Sequence, residues 1–303
     1  MQIVTHHKIS DLYHTLGLPI EQEMDFSILS VPDIHSEIPF KSPILRAGYF
    51  SFILNKVGSG FYYLDDNKFA FDNKTIYFTN PGHIKSYELD ESKEAYIIML
   101  SDKFLHENVH WSIYEEFSFL LAEKTPPKEL SKNDFEEFET LYSQILKEFE
   151  KDSPYKNKVI GNLFMVLLLK IKERFWSEYN PIEEGNRNSR IVKLFKKMLE
   201  TEFKKILDHS QNNIKLQAQY FASKLNLHPN YLNSVIKTKT GRTVNDWISK
   251  RTLSIAKSLL LNTTNSSKEI AYRLGFSEPT HFSRFFKKQM QISPNEFRKA
   301  KKS

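Results

Sequence analysis

Hydrophobic residues near the end of the chain recur at helical spacing, in two short runs separated by turn residues. The first run, residues 269–273, breaks at Gly275, a residue that readily takes the left-handed conformation at a helix end. Ser277 then offers an N-cap hydroxyl, and Pro279 suits a first helical turn. One face of the second run is apolar and is formed by Phe282, Phe285 and Phe286. The pattern predicts two helices joined by a tight turn, the outline of a helix-turn-helix.

A second copy of this pattern lies upstream. Residues 221–227 match residues 270–276 at an offset of 49, and residues 231–247 match residues 281–297 at an offset of 50. Small alanines, turn residues, apolar triplets and closing aromatics all recur, which indicates two copies of one structural unit. One long helix, predicted over residues 243–261, joins the copies. At about 1.5 Å per residue it spans roughly 27 Å, close to the ~34 Å between successive major-groove faces of DNA.

Between residues 26 and 100 the apolar residues form short β-rich runs that alternate with turn clusters. The predicted strands cover residues 26–31, 47–56, 60–65, 68–71, 75–79 and 95–100. Turns are predicted at the clusters between them, including Gly58-Ser59-Gly60 and Asn80-Pro81-Gly82. Such strands form an antiparallel sandwich or barrel, and a small barrel can hold one small ligand. Which residues line a ligand cavity stays unknown at this stage.

Residues 102–178 change to helical spacing. We predict helices over residues 102–106, 112–121, 131–149 and 155–176, with a cap at Asp102 and a second at Ser131 or Asn133. The last helix is apolar all round at residues 163–169, so more than one of its faces must be covered. One face is expected on the sheet and the other against a second copy of the chain. The alternative is a helix buried wholly within its own domain.

A polar segment with Pro181 and Gly185 has the composition of a linker. We therefore predict a first domain over residues 1–180, a linker over 181–188 and a second domain over 189–303. The second domain opens with a helix over residues 190–207. Its lysines are expected mainly on a solvated face and are Lys193, Lys196, Lys197, Lys204 and Lys205.

Charge is divided unevenly between these parts. Residues 181–303 carry a formal charge of +15 and residues 1–180 carry −9, and the 303-residue chain has no cysteine. The basic part is therefore expected to meet a polyanion, whereas disulfides and thiolate metal sites are excluded. An anionic membrane surface is the rival partner, but the basic helices show no extra apolar face for insertion, so no membrane partner is expected. No signal peptide is visible, and we expect a cytoplasmic location.

The last hundred or so residues resemble the DNA-binding domain of the AraC/XylS family of bacterial transcription regulators. The residues that carry the resemblance are Ile270-Ala271, Leu274-Gly275-Phe276, Phe282-Ser283-Arg284-Phe285-Phe286-Lys287, Ser293-Pro294 and Phe297-Arg298. The resemblance implies an α+β protein. Its N-terminal part would be a cupin-like antiparallel β-barrel sensor with a helical dimerisation segment, and its C-terminal part an all-α domain of two helix-turn-helix units.

The resemblance also implies the partners and the residues that contact them. The expected partners are double-stranded DNA, a second copy of the chain, a small-molecule effector and RNA polymerase, with no cofactor. Base contacts are expected at Asn230, Asn233, Ser234, Thr280 and Arg284, with Arg284 the best single reader, since Arg pairs with guanine and Asn with adenine. A salt bridge to Glu278 or a phosphate contact is the alternative for Arg284. The remaining groove-facing positions are Lys237, His281, Ser283, Lys287 and Lys288, of which the lysines are expected at phosphates.

Two other functions stay open on the sequence. A cupin-type enzyme with an appended DNA-binding module would need a metal site, and cupin metal sites pair close histidines with a carboxylate. His35 and His83 do not supply that spacing, so we expect no metal, no catalytic residue and no enzyme. The other alternative is a dimeric regulator without a ligand. The sequence identifies neither effector nor operator, nor whether regulation activates or represses.

Overall fold

The computed structural model describes residues 3–20, 24–30, 39–179, 187–207 and 216–300. Backbone contacts divide the chain into an N-terminal unit, which runs to Asn186 and includes Lys239–Gly241, and a C-terminal unit formed by Arg187–Thr238 and the residues from Arg242 onward. Most of the predicted linker lies outside the described residues, and the first helix of the C-terminal unit already begins at Arg187.

The described strands of the N-terminal unit form one curled sheet. They are β1 (Val4–His6), β2 (Phe26–Ser30), β3 (Phe40–Lys41), β4 (Leu45–Ala47), β5 (Phe50–Leu64), β6 (Asn67–Phe71), β7 (Thr75–Thr79), β8 (Ile84–Leu100) and β9 (Lys128–Glu129). The two long strands β5 and β8 pair with each other, β2, β3 and β4 pair with the other edge of β8, and β6 and β7 pair with the other edge of β5. All of these pairs are antiparallel, and only β1 pairs in parallel, with β4.

The two faces of this sheet have different roles, because successive side chains of a strand point to opposite faces. Phe52 on one face is fully buried, and its ring meets Phe164 edge-on at 5.0 Å between centroids. Its neighbours in sequence, Ser51 and Ile53, line a cavity on the other face. The sheet therefore carries a helix-covered core on one side and a cavity on the other.

Two of the strand predictions were wrong. Gly58-Ser59-Gly60 is a bulged part of the continuous strand β5, in which the register with β8 shifts between Asn55 and Gly60. Glycine is required there because a Cβ at Gly60 would lie 2.1 Å from the Glu88 carbonyl oxygen. Strand β8 begins at Ile84, eleven residues before the predicted start at residue 95. Its first half is polar, and its pairing with β5 keeps it extended.

The helices of the N-terminal unit are short except for the last two. They are α1 (Ile9–Leu16), α2 (Asp102–Phe104), α3 (Ile113–Glu116), α4 (Lys132–Phe149) and α5 (Lys156–Phe175). Ser131 caps α4 as predicted. Ser101, and not Asp102, caps α2, because its hydroxyl accepts from the Phe104 N–H at 3.0 Å. The helix predicted over residues 112–121 is split into α3 and a 3₁₀ turn, Ser118–Leu121.

Helix α5 packs against its own unit on one face and exposes apolar side chains on the other. Ile160, Phe164 and Leu168 are fully buried, whereas Val166 and Leu169 stay 40% and 45% exposed. At Gly161 the helix approaches the π-helical turn Leu105–Val109 so closely that a Cβ would lie 2.0 Å from the Asn108 carbonyl oxygen. This glycine therefore fixes the distance between α5 and the segment that follows the sheet.

The described elements of the C-terminal unit are all helices. They are α6 (Arg187–Leu207), α7 (Ala218–Lys224), α8 (Pro229–Thr240), α9 (Val244–Asn262), α10 (Ser267–Arg273), α11 (Pro279–Met290) and α12 (Pro294–Ala300). The predicted solvated face of α6 was wrong for Lys193 and Lys196, which are buried. The Lys196 ammonium lies 4.6 Å from the centre of the Trp247 ring of α9. A buried ion pair between Glu200 and Arg251, 2.9 Å apart, also joins α6 to α9.

The close approach at Gly161 leads to a stability prediction. Gly161→Ala should destabilise the protein by about 1–3 kcal/mol because the new methyl group collides with backbone, even though alanine favours helix by about 1 kcal/mol. Asn162→Ala, on the exposed neighbouring position, should change stability by less than about 0.5 kcal/mol. Urea unfolding of both variants tests this; equal stability of Gly161→Ala and the parent chain contradicts it.

Candidate nucleic-acid interface and ligand cavity

Each helix pair of the C-terminal unit is joined by a turn of the same geometry. Asn226 and Gly275 both take positive φ, at 53° and 80°. After each, the next N–H returns to an alanine carbonyl, from Leu227 to Ala222 at 2.9 Å and from Phe276 to Ala271 at 3.0 Å. This is the hydrogen bond that closes a helix end with a left-handed residue. The two matched segments therefore share one turn, which sets the direction of the helix that follows.

The second helix of each pair is anchored by side chains at matched positions. Leu232 and Ile236 of α8, and Phe282 and Phe286 of α11, are fully buried. Pro279 occupies the first turn of α11 as predicted, but the N-cap is Glu278 and not Ser277. Because the apolar positions face inward, the intervening positions of both helices must face away from the unit.

The side chains on the outer faces include most of the predicted site residues. The exposed ones are Asn230, Ser234, Lys237, Thr280, His281, Arg284, Lys287 and Lys288. Within the described residues, Arg284 makes no hydrogen bond or ion pair, so the salt bridge to Glu278 considered above is not formed. Among these predicted residues, α8 contributes one cationic side chain, Lys237, whereas α11 contributes three, Arg284, Lys287 and Lys288.

Asn233 and Ser283 differ from these residues because they are half-buried. The Asn233 side-chain oxygen accepts from the N–H of Val244, the first residue of α9, at 3.1 Å. The matched residue in the second copy is Pro294, the first residue of α12, which has no N–H to satisfy. Where the first copy has Asn233 and Val244, the second copy has Ser283 and Pro294. The second copy therefore lacks both the side-chain amide and the backbone N–H that this amide contacts.

Two arginines of the second copy hold it against the rest of the unit, and sequence reasoning assigned them no such role. Arg273 donates to the Ile206 carbonyl at 3.0 Å and to the Leu207 carbonyl, at the end of α6. Arg298 donates to the Leu260 carbonyl at 2.9 Å, near the end of α9. Both guanidinium groups satisfy carbonyls that a helix end leaves without partners. The first copy has Lys224 and Ile248 at these positions.

The N-terminal unit contains a cavity of about 110 Å³ between the sheet and α1. Leu12 and Leu16 of α1 close one side. The polar and aromatic lining includes Tyr49, Ser51, Asn55, Tyr62, Phe71, Tyr77, Thr79, Lys85 and Tyr87. Of the aromatic residues in the predicted strands, Tyr49, Tyr62, Phe71 and Tyr77 line this cavity, whereas Phe50, Phe52 and Phe78 do not.

Lys85 is the one residue with a formally charged side chain among the described residues that line the cavity. Its ammonium donates to the Thr79 hydroxyl at 2.8 Å and to the Ser51 hydroxyl at 3.2 Å. Burial lowers the pKa of Lys85 to about 8. The sequence did not indicate this residue, because its segment was not predicted to be a strand and its neighbours are polar.

The histidines considered for a metal site do not come together in the described structure. His83 lies 2.6 Å from the Asp65 carboxylate, and His35 falls outside the described residues. Nowhere in the described parts of the chain do three or more histidine or acidic side chains gather closely enough to hold a metal ion. None of the helices in the described ranges combines the length and apolar content that a membrane span requires.

Comparison with known proteins places the C-terminal residues in a recognised family. Residues 221–300 match the family described as a helix-turn-helix domain. The Msm operon regulatory protein of Streptococcus mutans is 31% identical over 141 residues, which are 46% of this chain and 47% of that protein. The transcriptional activator RhaR of Mannheimia succiniciproducens is 23% identical over 281 residues, covering 90% of this chain and 92% of its own.

The relatives are covered to different extents. The chain spans about half the length of the Streptococcus protein, and the longer alignment to the Mannheimia activator has the lower identity. The C-terminal domain of AraT, a response regulator from Geobacillus stearothermophilus, is a similar solved structure. It is 31% identical, covers 38% of this chain and 88% of its own, and has a TM-score of 0.33.

The contact of Asn233 with α9 leads to a second prediction. Asn233→Ala should destabilise the start of α9 by about 0.5–2 kcal/mol, since the Val244 N–H loses its acceptor. Hydrogen exchange of the first turn of α9 should then become faster. The matched Ser283→Ala should leave exchange at the start of α12 unchanged, because Pro294 has no N–H. Unaltered exchange of α9 in Asn233→Ala would show that the contact does not hold the helix.

Proposed function

We propose that this chain, a member of the AraC/XylS family of bacterial transcription regulators, binds specific sequences of double-stranded DNA and controls transcription there. The observation that carries the proposal is the pair of outward helices, α8 and α11, built on the same turn and joined through α9. In helix-turn-helix proteins the second helix of each pair lies in the major groove. Two such helices can read two successive faces of one duplex.

The side chains of these helices divide into readers and anchors. We assign base contacts to Asn230, Ser234, Thr280 and Arg284, and give His281 an apolar contact beside them. Asn233 uses its side-chain oxygen within the unit, so only its amide N–H groups can meet DNA. Lys237, Lys287 and Lys288 are assigned to phosphates. Ser234 is the position that matches Arg284 in the second copy, so the first copy contributes less charge-assisted base recognition than the second.

The N-terminal unit is proposed to be the sensor of this regulator. Its cavity is enclosed by aromatic and aliphatic side chains with a few polar groups, which is the usual composition of a small-molecule site. This supports a regulator controlled by an effector over the alternative without a ligand. The relatives named above are an operon regulatory protein and a transcriptional activator, which favours this role over the cupin-type enzyme.

The working assembly is proposed to be a homodimer in the cytoplasm, where bacterial DNA and RNA polymerase, a further proposed partner, are found. We propose residues 1–180 as the sensor and dimerisation domain, 181–188 as the linker and 189–303 as the DNA-binding domain. The exposed apolar side chains of α5 support a dimer interface on that helix, because a row of them at helical spacing is left uncovered. They are Tyr155, Val159, Val166 and Leu169.

Selection of duplexes from a random pool tests DNA recognition and defines the operator. The full-length chain should enrich one sequence with two elements about one helical turn apart. Arg284→Ala should then lose about 1–3 kcal/mol of discrimination at one base pair, with the other positions unchanged. Lys287→Ala should weaken binding to all sequences and lower the slope of log affinity against log salt by about 1.

Two variants serve as controls for these measurements. Arg190→Ala removes an exposed arginine from α6, and Lys268→Ala removes an exposed lysine from α10. Both should keep the selectivity and salt slope of the parent chain, since neither lies on a proposed reading helix. Enrichment of no sequence would refute the proposed function, and full selectivity in Arg284→Ala would refute the assignment of this residue.

The dimer interface has its own test. Val166→Glu and Leu169→Glu should each raise the dimer dissociation constant by about tenfold or more, because a charge is placed in the apolar contact. Asn157→Glu, an exposed position of the same helix outside the apolar row, should have no effect. Sedimentation velocity over a range of concentrations measures this. Identical assembly of all three variants would exclude α5 as the interface.

A further inference from the structure

The cavity of the N-terminal unit combines one ammonium group with neutral surroundings. The Lys85 ammonium has three N–H donors, and the Ser51 and Thr79 hydroxyls accept two of them. The ammonium lies 5.6 Å from the centre of the Tyr49 ring. One donor is thus left for a ligand, and the acceptors already present carry no charge.

The Lys85 residue is half-buried, and its ammonium lies at the cavity without the acidic partner that such groups normally have. Within the described ranges, no carboxylate lies within ion-pair distance of Lys85. Asp11 is the acidic residue of the adjacent α1, and its carboxylate already accepts from the backbone N–H groups of His7 and Lys8 at 2.7 and 2.9 Å. Burial of a charge without a counter-charge is costly. A bound anion would remove this cost.

The size of the cavity limits the anion. A cavity of about 150 Å³ accommodates benzene, and the volume here is about 110 Å³. The apolar part of the lining includes Phe71, Leu89 and Ile97. A ligand must therefore have one small anionic end and a compact apolar body. Phosphorylated sugars and dinucleotides are too large and too polar for these walls.

We propose that the cavity binds a compact organic monocarboxylate, whose carboxylate pairs with the Lys85 ammonium and whose short aliphatic body lies against Phe71, Leu89 and Ile97. This inference deepens the sensor role proposed above and rests on it. A carboxylate supplies the charge that Lys85 lacks, and a small hydrocarbon body fills the apolar space. Neutral isosteres of the same shape supply only the second interaction.

The proposal includes a pH dependence that belongs to Lys85. The other titratable groups facing it are the tyrosines of the cavity and His6 of β1. Burial raises the pKa of Tyr87 to about 12 and raises the pKa values of Tyr49, Tyr62 and Tyr77 further, so the tyrosines stay neutral below pH 9. Burial also lowers the pKa of His6. The charge of Asp11 opposes this shift and the charge of Lys85 reinforces it, so this imidazole is neutral above pH 7.

Ligand titrations of the full-length chain test the proposal. Isovalerate and butyrate are the carboxylate probes, and isovaleramide and butyramide are their neutral matches. Calorimetry and thermal shifts should show binding of at least one carboxylate and at least tenfold weaker binding of its amide. Carboxylate affinity should fall about tenfold between pH 7 and pH 9, as the Lys85 ammonium loses its proton with a pKa of about 8.

Variants locate the binding. Lys85→Met should abolish the difference between carboxylate and amide, whereas Lys93→Met, which removes a lysine whose side chain is 68% exposed, should preserve it. Equal binding of acids and amides, or no binding of either carboxylate, overturns the proposal. The comparison of acids with amides uses the parent chain, so it decides the matter even if Lys85→Met does not fold.

Operator binding is measured on the same samples, which separates this inference from the proposed function. If the chain selects DNA but binds no carboxylate, the proposed regulator stands and the proposed ligand class is refuted. Carboxylate binding without DNA selection refutes the regulator, and the cavity then remains a carboxylate site without the sensor role.

Discussion

The C-terminal unit depends on a single backbone constraint that it uses twice. In each copy a left-handed residue, Asn226 or Gly275, lets the chain return a hydrogen bond to an alanine carbonyl one turn earlier. Ala222 and Ala271 are fully buried, and each places only a methyl group beside the turn. The direction of α8 and α11 follows from this turn, and with it the side chains they expose.

The two copies share this turn but differ in what surrounds it. In the first copy the Asn233 side-chain oxygen accepts from the Val244 N–H at the start of α9, so this polar group is used within the unit. The second copy has Pro294 at the matched position and needs no such acceptor. Its Arg273 and Arg298 donate to carbonyl groups at the ends of α6 and α9. The cationic outer face of α11 and the more neutral face of α8 are therefore built on different supports.

In the N-terminal unit the corresponding constraint is that side chains along β5 and β8 alternate between the two faces of the sheet. Alternate residues build a helix-covered aromatic core and a cavity, so that Phe52 packs against α5 while its neighbour Ser51 binds Lys85. The bulge at Gly58-Ser59-Gly60 shifts the register between the two long strands. A change of register by one residue would exchange the two faces, which is why this part of the unit depends on a glycine close to the facing backbone.

The sequence by itself determined the features that arise from local interactions. The turn at Gly275, the apolar rows of α8 and α11, the Ser131 cap and the repeat at offsets of 49 and 50 all depend on residues a few positions apart. Only the tertiary structure decided that β8 extends back to Ile84, that Gly58-Ser59-Gly60 lies within a strand, and that Lys196 is buried. It alone directed Lys85 into the cavity and the Asn233 oxygen to Val244. These outcomes depend on partners distant in sequence, and a charged or amide side chain carries no local signal of which distant group it will meet.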